Sequence, residues 1–151
     1  MSQSNLLTTR RFLPLFVTQF LGAFNDNFFK NALVILITFK STSVFGIPSA
    51  QIVAAAGAIF ILPYFLFSAQ SGQIADKYEK STLVRWIKLA EICIMSIAAG
   101  GFVFHQLELL LAALFLMGTH STVFGPIKYS ILPQHLTEDE LVGGNALVEA
   151  G

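Results

Sequence analysis

Apolar residues recur in long blocks along this chain, and polar residues gather between the blocks or in tight clusters inside them. After Arg10 and Arg11 an apolar stretch runs from Phe12 to Phe39, and at 1.5 Å per residue it would reach about 42 Å as one helix. A second block, Ala50 to Ala69, holds no charged residue and matches the roughly 20 apolar residues that cross a hydrocarbon core about 30 Å thick. Pro63 lies inside it and predicts a kink that neighbouring helices must accommodate. Polar residues then fill the stretch from Ser71 to Ser81. A third block runs from Leu83 to Phe104, with Arg85, Lys88 and Glu91 spaced three apart near one helical face. Only a short turn around His105 and Gln106 separates it from a fourth, Leu107 to about Phe124, so these two are expected to form an antiparallel hairpin.

Gly125, Pro126 and Pro133 break the pattern. Thr137 and Glu140 then form the T-x-x-E of a capping box, and the helix it starts carries Gly143, Gly144 and Ala146, small residues that permit close helix approach in lipid. The pattern predicts an all-α, polytopic transmembrane helical bundle. Its spans are expected over about 12–39, 50–69, 83–104 and 107–124, with a fifth from about 138 cut short at Gly151.

Composition supports lipid as the solvent: 54% of residues are hydrophobic and 12% charged, against roughly 25% charged in an ordinary soluble domain. Net charge is zero and the basic residues are dispersed, which excludes the dense positive field that nucleic-acid binding requires. A charged start before an apolar run also describes a cleaved signal peptide, but the cleavage pattern is weak and further apolar blocks follow. Cys93 has no second cysteine to pair with and sits in an apolar run. Arg10, Arg11, Lys77, Lys80, Arg85 and Lys128 alternate with a side carrying only Lys40, so the N-terminus is expected to be cytoplasmic.

The most informative cluster is Phe24-Asn25-Asp26-Asn27-Phe28-Phe29-Lys30-Asn31 in the first block. A charge at the bilayer centre costs roughly 2.5–3.5 kcal/mol on insertion scales, so Asp26 and Lys30 need partners or water. Their i, i+4 spacing places them on one face, acid before base, with Asn27 and Asn31 nearby. This stripe is expected to line a polar cavity in which Asp26 meets a cationic headgroup and Lys30 an anionic phosphate. A structural ion pair between helices is the plainer alternative. Glu91 and His120 are weaker candidates, since Glu91 has Lys88 within reach. No metal-ligand spacing, Walker loop or nucleophile elbow occurs, so no metal or cofactor is expected.

Gly72-Gln73-Ile74-Ala75-Asp76-Lys77-Tyr78-Glu79-Lys80-Ser81 resembles the signature loop of the major facilitator superfamily, G-x-x-x-D-R/K-x-G-R/K-R/K. Gly72, Asp76, Lys77 and Lys80 match; Glu79 replaces the usual glycine and Ser81 the last basic residue. The resemblance implies a cytoplasmic latch, with Gly72 allowing close helix approach and Asp76 pairing in one conformation. The runs Phe124-Gly125-Pro126-Ile127-Lys128-Tyr129-Ser130-Ile131-Leu132-Pro133 and Glu140-Leu141-Val142-Gly143-Gly144-Asn145-Ala146-Leu147-Val148-Glu149, with the F-N-D-N start, are similar to the lysophospholipid transporter branch of that superfamily. Gly125, Pro126, Lys128, Tyr129, Asn145 and Glu149 carry the match.

The resemblance implies a twelve-span transporter of the bacterial inner membrane, moving lysophosphatidylethanolamine inward by alternating access. Asp26 would be its substrate or coupling residue, with a proton or sodium ion as the coupling partner where one is used. Some relatives are fused to acyltransferase and acyl-carrier-protein ligase domains, but this chain has no acyltransferase H-x-x-x-x-D, because Glu140 stands five positions after His135. The rival readings are a drug or metabolite facilitator and the membrane portion of a bifunctional phospholipid acyltransferase/ligase.

Overall fold

A computed structural model describes residues 6–39 and 46–150. Lys40, the basic residue assigned to the side opposite the N-terminus, lies outside the described residues. Five long helices occur among the described residues: α1 (Leu13–Phe39), α2 (Ser49–Lys77), α3 (Lys80–Val103), α4 (Leu107–His135) and α5 (Glu138–Ala150). The all-α expectation holds. Of these, α2, α3 and α4 are long and apolar enough to cross a membrane. At 27 residues α1 has the length too, and its central Asn25–Lys30 cluster is what dilutes its apolarity.

α4 is the centre of the bundle, packed along α2 on one side and α3 on the other, with α1 and α5 touching it more sparingly. The main core joins Phe29, Leu33 and Ile37 of α1, Ile52 and Ala56 of α2, Ile94 and Ala98 of α3, and Leu110, Ala113, Leu114 and Met117 of α4. At the opposite end Ala75, Ile87, Phe124, Ile127 and Ile131 form a second apolar layer, and Phe12, Leu132, Leu136 and Val148 seat α5.

The α3–α4 hairpin forms as its short turn predicts. His105 adopts φ 55°, the left-handed conformation that ends many helices, and the Gln106 N–H donates back to the Gly101 carbonyl at 2.9 Å. Two helix ends differ from the sequence expectation. α4 does not stop near Phe124 but continues through Pro126 and Pro133 to His135; burial of Ile127, Ile131 and Leu132 holds it past the prolines, whose missing N–H groups membrane-type helices tolerate. α2 likewise runs beyond Ala69 to Lys77, so most of the expected polar loop is helical, leaving only Tyr78 and Glu79 between α2 and α3. Ser71 and Ala75, four apart and both buried, keep one face of that extension packed. The capping box is present in half: the Thr137 N–H donates to the Glu140 carboxylate at 3.0 Å.

One close helix approach lies outside the sequence expectations. A Cβ on Gly118 of α4 would overlap the Phe60 carbonyl of α2 and press on the Pro63 ring, so glycine is required where the two longest helices cross. Gly118→Ala is therefore expected to destabilise the protein by about 1–3 kcal/mol, the usual cost of overpacking. Gly125→Ala, where a Cβ meets nothing within 4 Å, should be neutral or stabilising by up to about 1 kcal/mol; unfolding curves of both variants in detergent check the contrast.

Candidate functional site

Polar side chains gather at one level because four antiparallel helices of similar length bring their centres together. Asp26 is the central residue of α1, Tyr64 lies beside the centre of α2, Glu91 near that of α3, and His120 and Ser121 at that of α4. Ser121 Oγ donates to Asp26 Oδ2 at 2.5 Å, while Asp26 Oδ1 is buried without a hydrogen-bond partner. On the neighbouring wall Lys88 Nζ donates to Glu91 Oε2 at 2.7 Å and to the Thr18 carbonyl at 3.4 Å, and it lies 4.8 Å from the centre of the Phe124 ring.

Glu91 Oε1 accepts from Asn25 Nδ2 at 3.3 Å. His120 Nε2 lies 3.5 Å from Glu91 Oε2, close enough for electrostatic attraction but outside hydrogen-bonding geometry, and its ring stacks on Phe124. Gly22 makes room for the lysine: a Cβ there would come within 3.0 Å of Lys88 Nζ. Between these walls is a cavity of about 190 Å³ lined by Gln19, Gly22, Ala23, Asp26, Tyr64, Lys88, His120, Ser121, Phe124 and Lys128. A wider groove of about 480 Å³, lined by Asn25, Lys88, Glu91, Ile92, Met95, Ser96 and Ala99, adjoins it and shares Lys88.

Asp26 and Lys30, expected to line one polar cavity, line two different ones. Asp26 turns to Ser121 of α4, whereas Lys30 turns to α2 and places Nζ 4.4 Å from the centre of the Phe60 ring, beside a separate apolar pocket. A half-buried ammonium gains from an aromatic face, and the spacing of two residues on one helix does not bind their tips together. Asn27 and Asn31 are exposed, and Asn27 Nδ2 donates to the Ala23 carbonyl of its own helix at 2.9 Å. Phe24 and Phe28 stack on each other and are exposed, whereas Phe29 is a core residue. Glu91 is engaged by Lys88, as the plainer reading had it. The cations that do line the Asp26 cavity are Lys88 and Lys128. In sequence Lys88 stands out only as a partner for Glu91, and Ser121 and Tyr64 carry no signal beyond a polar atom in an apolar block.

Gly72 has open space where its Cβ would be, so the close approach expected of it is not made by the described residues. Asp76 and Lys77 are exposed; Lys77 lies 5.6 Å from the Tyr78 ring centre, and no ion pair to Asp76, Lys77 or Lys80 occurs among the described residues. Glu79, standing where the motif has glycine, caps the next helix: its carboxylate accepts from the N–H groups of Ser81 and Thr82 at 2.9 and 2.6 Å. Of the second motif, Pro126 sits inside α4, Gly125 faces open space, and Lys128 reaches the cavity beside Tyr129. Asn145 and Glu149 are exposed. The helix that bears them is docked by Arg11–Glu140 at 2.6 Å, by Gln19 Nε2 donating to the Val148 carbonyl at 3.2 Å, and by Gly144 lying against Leu136 and Phe12. No cluster of three metal-ligating side chains occurs among the described residues.

Lysophospholipid transporter LplT of Salmonella heidelberg (strain SL476) is 31% identical over 141 residues, 91% of this chain and 32% of that protein. LplT of Salmonella arizonae is 29% identical over 147 residues, 95% of this chain and 33% of that protein. The chain is similar to lysophospholipid transporters over nearly its whole length. It spans about a third of the length of these curated relatives. The transporter resemblance read from the sequence motifs is thereby borne out, and the relatives' names are those of transporters, not enzymes. No family model and no solved structure matches the chain.

The Glu79 cap has a consequence for acid stability. The N–H groups of Thr82 and Ser81 hold its carboxyl below the usual carboxylate range, so its contribution is present above the unfolded value of about 4.3 and is lost as pH falls through the lower folded value. Glu79→Ala should melt below wild type at pH 7, with the difference closing as pH drops below about 4; thermal unfolding across that range measures it.

Proposed function

We propose that this chain is the N-terminal part of a lysophospholipid transporter of the bacterial inner membrane, moving lysophosphatidylethanolamine by alternating access. The observation that carries the proposal is the mid-depth cavity lined by Asp26, Lys88 and Lys128 together, with one buried oxygen of Asp26 left without a hydrogen-bond partner. A zwitterionic headgroup has the complementary charges: its ammonium pairs with Asp26 and its phosphate with the two lysines, each a charge-assisted contact. The adjoining groove between α1 and α3, polar at Lys88 and apolar at Ile92, Met95 and Ala99, suits the single acyl tail.

In this reading α1 crosses the membrane with α2, α3 and α4, because its polar face turns inward and not to lipid. α5 begins a fifth span of a twelve-span major-facilitator bundle. The N-terminus is cytoplasmic, supported by Arg10, Arg11 and Arg85 meeting at the end of the bundle where α1 and α3 begin. Asp76, Lys77 and Lys80 are left to pair with elements beyond this chain, which is what a latch made in one access state requires. Any proton or sodium coupling would act at Asp26. Reacylation of the delivered lysolipid falls to a separate or fused acyltransferase.

The test is uptake of labelled lysophosphatidylethanolamine into proteoliposomes by the full-length protein. Asp26→Asn should reduce uptake about 10- to 150-fold, the range for losing a hydrogen bond to a charged group. Lys88→Met should be more harmful than Lys30→Met, and Asn27→Ala should be without effect. Uptake by Asp26→Asn at the wild-type rate overturns the assignment.

A further inference from the structure

A second groove lies away from the central cavity, where α1 and α3 begin and α4 ends. Its volume is about 380 Å³. Leu15, Val84 and Ile131 form an apolar floor, and Arg10 and Arg85 stand exposed beside it. The adjacent Arg11 is engaged elsewhere, with Nη2 donating to Glu140 at 2.6 Å and Nη1 to the His135 carbonyl at 3.2 Å. That double tie pins the segment before α1 to the end of α4 and the start of α5, and so holds Arg10 at the groove.

Neither Arg10 nor Arg85 has a carboxylate within 4.0 Å among the described residues. The acid whose field Arg85 reaches, Glu79, has its oxygens turned to the Ser81 and Thr82 N–H groups. Trp86, next to Arg85, is 67% exposed at this end of the bundle, and an exposed indole marks the headgroup layer.

We propose that this groove binds an anionic phospholipid of the surrounding bilayer, its phosphate held between Arg10 and Arg85 and its acyl chains against Leu15, Val84 and Ile131. Guanidinium forks match phosphate oxygens in two-point contacts, and basic pockets between spans on the cytoplasmic side accept acidic headgroups. Two unpaired cations favour a lipid with net negative charge over a zwitterion, which brings an ammonium of its own. The apolar floor favours a lipid over inorganic phosphate, which makes no use of it. The proposal rests on the membrane reading of the helices but not on the identity of the transported lipid.

The experiment is thermal unfolding of the full-length protein in detergent, titrated with dioleoylphosphatidylglycerol, dioleoylphosphatidylcholine or inorganic phosphate. Phosphatidylglycerol should raise the melting temperature, and Arg10→Gln with Arg85→Gln should weaken that binding about 30-fold, whereas Lys77→Gln with Lys80→Gln should leave it intact. Equal stabilisation by phosphatidylcholine or by inorganic phosphate overturns the proposal, as does unchanged binding in the arginine variant. Should that variant fail to fold, a diazirine-bearing phosphatidylglycerol on the wild type decides: crosslinks within 81–88 or 131–135 support the groove, and crosslinks only elsewhere overturn it. Asp26→Asn protein, impaired in uptake, should bind phosphatidylglycerol as wild type does, which separates this site from the central cavity.

Discussion

Polar groups sunk at mid-depth in an apolar bundle must find their partners on other helices, because hydrocarbon supplies none. Here that constraint sets the register of the molecule. Asp26 reaches Ser121 across the α1–α4 contact, and Asn25 reaches Glu91 across the α1–α3 contact. A shift of any of these helices by one turn, about 5.4 Å, would strand at least one of these groups. The apolar layers on either side favour burial without regard to register, so it is the polar layer between them that specifies it. The glycine contact of Gly118 with Phe60 adds a steric lock between α2 and α4 a few residues away.

Helix positions were legible because hydropathy blocks and helices coincide at their starts: the structure begins α2, α3 and α4 within three residues of the expected spans. Their ends were less legible. Hydropathy records the length of a helix that faces lipid or core, whereas α2 and α4 continue beyond that length on the strength of one packed face, Ser71 and Ala75 in the first case and Ile127 and Ile131 in the second. Prolines mislead in the same way, since their cost is assessed for water and the packed setting lowers it. Glu79 is a related case: measured against a motif it is a departure, yet a carboxylate at that position does what an N-cap requires.

The site was half legible. Asp26 could be singled out because an acid in an apolar block demands an explanation within its own helix. Its surroundings could not, since Ser121, Tyr64, Lys88 and Lys128 come from three other helices and no spacing within one helix encodes them. The i, i+4 rule placed Lys30 on the face of Asp26, but a lysine stem is long enough to choose among neighbours, and Phe60 was the neighbour at hand. Helical spacing constrains where side chains start, and tertiary packing decides where they end.

The charges that line the cavity bear on how such a layer could release what it binds. Within it Lys88 is already neutralised by Glu91 at 2.7 Å, and Asp26 is satisfied on one oxygen only. A substrate carrying one charge would leave a bare ion buried on arrival or departure, which costs several kcal/mol. A zwitterion instead brings no net charge: its phosphate can meet Lys88 and Lys128 while its ammonium meets Asp26, and Glu91 keeps Lys88 and Asn25 as its own partners. Lys88 is shared by the central cavity and the adjoining groove, so in the proposed reading it stands where the two ends of an amphipathic molecule would meet. The proposed substrate thus fits the charges of the cavity as well as its shape, because a balanced headgroup adds no net charge to be buried on arrival or exposed on departure.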